Sequence, residues 1–160
     1  ALYAMMAGSV LAIYVAPAGR AAMESVSVAE LEQGRGIRGD RYCTQLGTFS
    51  EQARVRPDQE ITLIESEEID LFNRSTESML DYGAPRRNVV TKGVRLNELV
   101  GARFTVGEVL LEGMRLCEPC AHLASLVSDK VLPGLVHRAG LRARILSTGK
   151  IKLSDVVASV

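Results

Sequence analysis

The residues with the most chemistry in this 160-residue chain lie between Ala84 and Leu123. That run opens on the paired arginines Arg86 and Arg87 and closes on the thiols of Cys117 and Cys120. A thiolate is a nucleophile toward activated sulfur and a donor for soft metal ions, and a guanidinium is a planar, bidentate donor to phosphate and other oxyanions. Between the two, Gly93, Gly101, Gly107 and Gly113 divide short apolar stretches, the pattern of tight turns joining strands. A small barrel built that way brings both ends of the run together. Cationic side chains beside a thiol point to a bound anion, sulfur chemistry or a soft metal.

Each of these groups also has a plainer use. Cys120 follows Pro119 at an expected helix start, where the helix dipole lowers a thiol pKa, but free cysteines also serve as small buried hydrophobes. With Cys117 it forms C-E-P-C. A closed zinc site wants four ligands, and Cys43, His122 and His137 stand at no paired-finger spacing; a thioredoxin-like reading lacks its βαβ context. The simpler arrangement has Cys117 ending a strand and pointing inward while Cys120 points to the site. Arg38, Arg41, Arg86 and Arg87 are candidate anion donors, and the alternative is pairing with Asp40 or Asp81. Neighbours on a strand face opposite ways, so Arg86 faces out if Arg87 faces in. Asp40 is expected to orient Arg41. Thr48 and Ser50, near Gly47, offer hydroxyls and backbone N–H groups to an anion. His122 and His137 are candidate proton relays or packing residues. Glu65, Glu67 and Glu68 suit a helix N-terminus and are assigned to structure.

The elements that must position these groups read as β-rich. SVLAIYV is an apolar strand stopped by Pro17 and Gly19, and VSVAELEQGRG is a second strand fading into glycines. GIRGDRY is a bent loop, and the polar stretch from Cys43 to Gln59 is a long surface loop suited to binding. EITLI alternates like a strand, and a short helix starts at Ser66 with Ile69 and Phe72 at helical spacing. From Asn88 onward NVVT, ARFTV, EVLLEGM and ARILSTG are strand-length units, with a one- or two-turn helix at Leu96 to Val100 and another helix starting at Cys120. The sum is a mainly β fold with short helices, an α+β domain most naturally closed into a β-barrel, because closure removes strand edges.

Composition sets the outer bounds. The length fits a single domain, residues 1–160, with 1–7 expected to fray or to be an expression remnant. Nineteen basic and nineteen acidic side chains give zero formal net charge, which removes a general electrostatic case for nucleic acid or an anionic membrane. No run reaches the ~20 apolar residues of a spanning helix. Three cysteines, an odd set, favour a reducing, cytoplasmic setting over a secreted disulfide framework.

GIRGDRY, TLIESE, RRNVVTKGVRLNELVG, and LCEPCAHL followed by GLRARILSTGKI resemble, in this order, the MOSC domain, named for the C-terminal part of molybdenum-cofactor sulfurases. The resemblance covers about residues 8–157. It implies a MOSC-like β-barrel, often with a molybdenum cofactor of the molybdopterin type. It also implies a cysteine tied to metal or persulfide at Cys120, and site residues at Arg87, Asn88, Gly39, Asp40 and Arg41. In KIKLSDVV, Ser154 stands where such domains usually carry glycine.

Two functions follow from the resemblance. One is a cofactor-dependent oxidoreductase that reduces N-hydroxylated or similar small-molecule substrates, with Cys120 on the metal, arginines on the cofactor's anionic groups, and Arg87, Asn88, Arg41, Asp40, Arg38, Thr48 and Ser50 as the cofactor-binding residues. The other is a sulfur carrier holding a persulfide on Cys120. A third reading is a binding domain whose site has decayed. The chain has no C-x-x-C-H, no ferredoxin-like cysteine spacing and no dinucleotide fingerprint, so an oxidoreductase would draw electrons from a separate donor protein.

Overall fold

A computed structural model describes residues 7–44, 59–119, 124–125, 130 and 134–160. β1 (Ala7–Val15) is the strand around which the architecture turns. One of its edges pairs with β6 (Val89–Lys92). The other edge is shared: its first residues pair with β11 (Val156–Ser159) and its last with β2 (Glu24–Val26). A register shift between Val10 and Ala12 bends the strand so that it serves both.

From β6 the sheet continues through β5 (Ile61–Glu65), β9 (Leu141–Ile145), β8 (Val109–Leu116) and β7 (Arg103–Val106) to β11. The pairing of β11 with β1 closes a seven-stranded barrel. A second sheet orders β10 (Gly149–Lys152), β3 (Val28–Glu32) and β4 (Gly36–Ile37). Inward residues such as Ile13, Leu63, Val89, Phe104, Leu111 and Leu141 fill the core and are fully buried. This is the mainly β, barrel-forming class that the turn pattern predicts.

β5 and β6 are the one parallel pair among the described strands, and such a pair needs a crossover. The helix α2 (Ser66–Thr76) provides it. Ile69 packs on Ile64 and Val90, and Phe72 packs on Leu135 and Ala139. Ile61 and Leu63 face the barrel core, and this covering helix explains why Ile64 is buried as well, where simple alternation would expose it. Glu65 and Glu67 serve the crossover by accepting the backbone N–H groups of Leu96 and Gly93. Those N–H groups belong to the approach to a 3-10 turn, Leu96–Leu99. The one-turn α1 (Arg41–Thr44) follows β4.

Two expectations change. VSVAELEQGRG is not one strand: the chain breaks at Ser27, and β2 and β3 enter different sheets. Ala7 does not fray, because it pairs with Ala158 across the barrel seam. The C-terminal stretch holds two strands of different sheets, β10 and β11, joined by a turn in which Ser154 takes φ 72°. That left-handed conformation is the reason glycine suits the position, and here the turn is made with serine. The expected helix from Cys120 lies largely outside the described residues. Among the described residues no helix is long and apolar enough to cross a membrane.

Candidate functional site

The two arginines of the RRN element point to different places. A turn over residues 83–86 brings the chain to Arg86, which adopts φ 65° and so reverses the backbone just before Arg87. Arg86 is half-buried and donates from Nη1 to the carbonyl of Ala21 at 2.7 Å. Burial, and then the neighbouring Arg41 guanidinium, pull it below the ordinary arginine range. Arg87 is 8% exposed and donates from Nε to the carbonyl of Ala139 at 2.8 Å. That carbonyl is its sole hydrogen-bond partner among the described residues, and no carboxylate faces it there.

Asn88 is fully buried and committed to the fold. Its Oδ1 accepts from the backbone N–H of Thr62 at 3.0 Å and lies 3.1 Å from Thr62 Oγ1, while its Nδ2 donates to Tyr14 O at 3.1 Å. One side chain thus ties β5 to β1 across the start of β6. It does not hold its amide open to a ligand, because the two flanking backbones use it.

The GDR element also works inward. Asp40, fully buried, accepts from the N–H of Ala16 and from Arg41 Nη1, each at 3.0 Å. It therefore holds Arg41, as its position in sequence predicts. Arg41 is 5% exposed, donates from Nη2 to the carbonyl of Arg86 at 3.2 Å, and lies over the Tyr42 ring. Arg38 leaves this group. It is exposed and pairs with Glu30 at 2.8 Å and Glu32 at 3.3 Å, carboxylates of β3 in place of the Asp40 or Asp81 that sequence proximity suggests. Thr48, Ser50, Cys120 and His122 lie outside the described residues.

Beside Arg86 opens a cleft of about 640 Å³ lined by Tyr14, Arg20, Met23, Asp81 and Gly83. Arg20 and Arg86 both sit in left-handed backbone, at φ 67° and 65°. Such conformations cost roughly 1–3 kcal/mol each and gather at ligand sites. Tyr14 is pushed above the usual tyrosine range by burial and by the Asp81 carboxylate. The wall formed by the link between β1 and β2 is held by Arg86 on Ala21 and by Arg41 on the sulfur of Met23.

The thiol segment meets the same end of the barrel. Cys117, just past β8, is fully buried and gives its N–H to Gly140 O at 2.7 Å. Gly140 follows Ala139, the residue that receives Arg87, so the RRN and CEPC elements converge on two adjacent carbonyls. Gly140 has φ 110°, and a Cβ there would collide with the carbonyl of Leu63. Cys43 is a different kind of thiol: burial and then Glu32 raise its pKa, which disfavours the nucleophilic thiolate. The stretch His137 to Gly140 carries the convergence, and a sequence scan for reactive side chains passes over it because its key groups are backbone carbonyls.

A family model described as the MOSC domain matches residues 50–158. No curated protein matches the chain. Among solved structures, the YuaD protein from Bacillus subtilis superposes with a TM-score of 0.81 at 14% identity, over 97% of this chain and 96% of that one. YiiM from Geobacillus stearothermophilus gives 0.73 at 17% identity, covering 98% of this chain and 75% of its own. YiiM from Escherichia coli gives 0.67 at 18% identity, covering 95% and 69%. At these identities the structures share a fold, and the family model supplies the kinship: the chain belongs to the MOSC domain family.

Proposed function

We propose that this chain is a molybdenum-cofactor-binding oxidoreductase domain that reduces N-hydroxylated or similar oxidised small molecules, with Cys120 as the protein's ligand to the metal. The observation that carries the reading is Arg87. A largely buried guanidinium held through Nε by a single carbonyl, with no carboxylate opposite among the described residues, leaves its two Nη groups to donate to an anion. Arg86 and Arg20 add cationic character to the adjoining cleft.

These residues fit the phosphate-bearing end of a molybdopterin-type cofactor. Arg87 would hold an anionic group, Asp40 fixes Arg41 against the Arg86 carbonyl, and the thiolate of Cys120 would be the protein's ligand to the metal. When bound, the cofactor supplies two-electron reduction at the metal, with electrons from a separate donor protein. The chain's own part is to orient that group, to offset its charge and to give the substrate a cleft in which Tyr14 and Asp81 present an O–H and a carboxylate.

Elemental analysis of protein made in a cofactor-competent host, beside a Cys120→Ser variant, tests this. Near-stoichiometric molybdenum that disappears in the variant is the expected result, and Cys117→Ala, which alters a buried packing residue, is expected to retain most of it. Absence of molybdenum from the wild-type protein overturns the reading and favours a sulfur carrier with a persulfide on Cys120, which mass spectrometry would detect.

A further inference from the structure

The carboxylate inside the cysteine pair is engaged by a single residue. Glu118 Oε1 accepts the backbone N–H of His137 at 2.7 Å, and its Oε2 lies 2.6 Å from His137 Nδ1. His137 presents both groups to one carboxylate because it stands in left-handed backbone, φ 61°. Its carbonyl in turn accepts from Asn97 Nδ2 at 2.9 Å, fastening it to the 3-10 turn. An exposed Glu–His pair alone contributes little. Here the ring contact is one of three bonds at one residue, and two of the three involve its backbone.

We infer that Glu118 and His137 are positioning residues for the cysteine-pair segment: a two-point clamp that, with the bond from Cys117 N–H to Gly140 O, fixes the chain entering Cys120. Residues 117 and 118 are pinned to residues 140 and 137, so Pro119 begins from a defined place. Because Arg87 binds Ala139 inside the same stretch, the clamp sets the thiol segment and the buried cation on one piece of backbone. The inference rests on Cys120 being the functional thiol, but it needs no metal to be tested.

The experiment is alkylation of the metal-free full chain by iodoacetamide at fixed pH, with the rate at each cysteine read separately by peptide mass spectrometry. Cys43 and Cys117, both buried, report general loosening. Glu118→Ala is expected to change the rate at Cys120 about fivefold or more, upward, while Cys43 and Cys117 stay slow. Glu118→Gln keeps an acceptor for the His137 N–H and a donor for its ring, and is expected to restore a rate near the wild-type value. An unchanged Cys120 rate in Glu118→Ala, or a parallel rise at all three cysteines, overturns the clamp. If Glu118→Ala fails to fold by circular dichroism, His137→Ala, which keeps the backbone bond, is judged by the same criterion. A molybdenum-free wild-type protein would refute the proposed function and leave this result standing.

Discussion

A side chain at this site is defined by what it has already spent its hydrogen bonds on. Asn88 has spent them on two strands, so Asn88→Ala strands the buried N–H of Thr62 and the carbonyl of Tyr14. The expected loss is about 2–3 kcal/mol, read as a lower urea midpoint; an unchanged midpoint would show that water takes over both groups. Arg87 has spent only Nε. Arg87→Ala is expected to lower molybdenum occupancy with the circular dichroism spectrum intact, whereas Arg38→Ala, which removes an exposed partner of Glu30 and Glu32, is expected to leave occupancy unchanged. Equal occupancy in both variants would remove Arg87 from the site. The sequence marks Arg87 and Asn88 alike, as neighbours in one motif. It carries no sign that one is closed and the other open, because that difference lies in the partners: Thr62 and Tyr14 for Asn88, a carbonyl for Arg87.

Elements were legible where local rules were enough. The strands after Asn88 announce themselves by apolar runs between glycines, and the 3-10 turn by its brevity. β5 was legible as a strand, but its double-sided burial was not, because the helix that covers its outer face comes from tertiary packing. The same tertiary packing buries Glu60 at the entry to β5, where Oε1 accepts the N–H of Ile145 at the end of β9. Burial is the main cause that raises the pKa of Glu60, against the backbone bond and Arg144, which lower it. A carboxyl raised in the folded state binds its proton more tightly there than in the unfolded chain. Its stabilising contribution is therefore complete below the ordinary glutamate pKa and fades as pH rises through the raised value. Relative to Glu60→Gln, which keeps the acceptor, the wild-type urea midpoint should fall as pH rises from the ordinary glutamate value through the raised one. A constant difference across that range would show that Glu60 does not govern the effect.

At the scale of the molecule, the sequence foresaw closure in general terms, since many short strands bury their edges best in a barrel. It did not foresee the seam, where one edge of β1 serves both β11 and β2 and where Ala7 faces Ala158. That seam has a consequence for how the chain is made. Synthesis runs from one end, so both arginines, both cysteines of the pair and most of the wall exist before the closing strand emerges. A chain cut short of Val156 would retain every residue assigned to the site, yet expose β1 at Ala7 to Ser9 and β7 at Phe104 to Val106 as vacant strand edges. Such a fragment is prone to pair with its own copies edge to edge, and its failure would show as aggregation before it showed as lost chemistry.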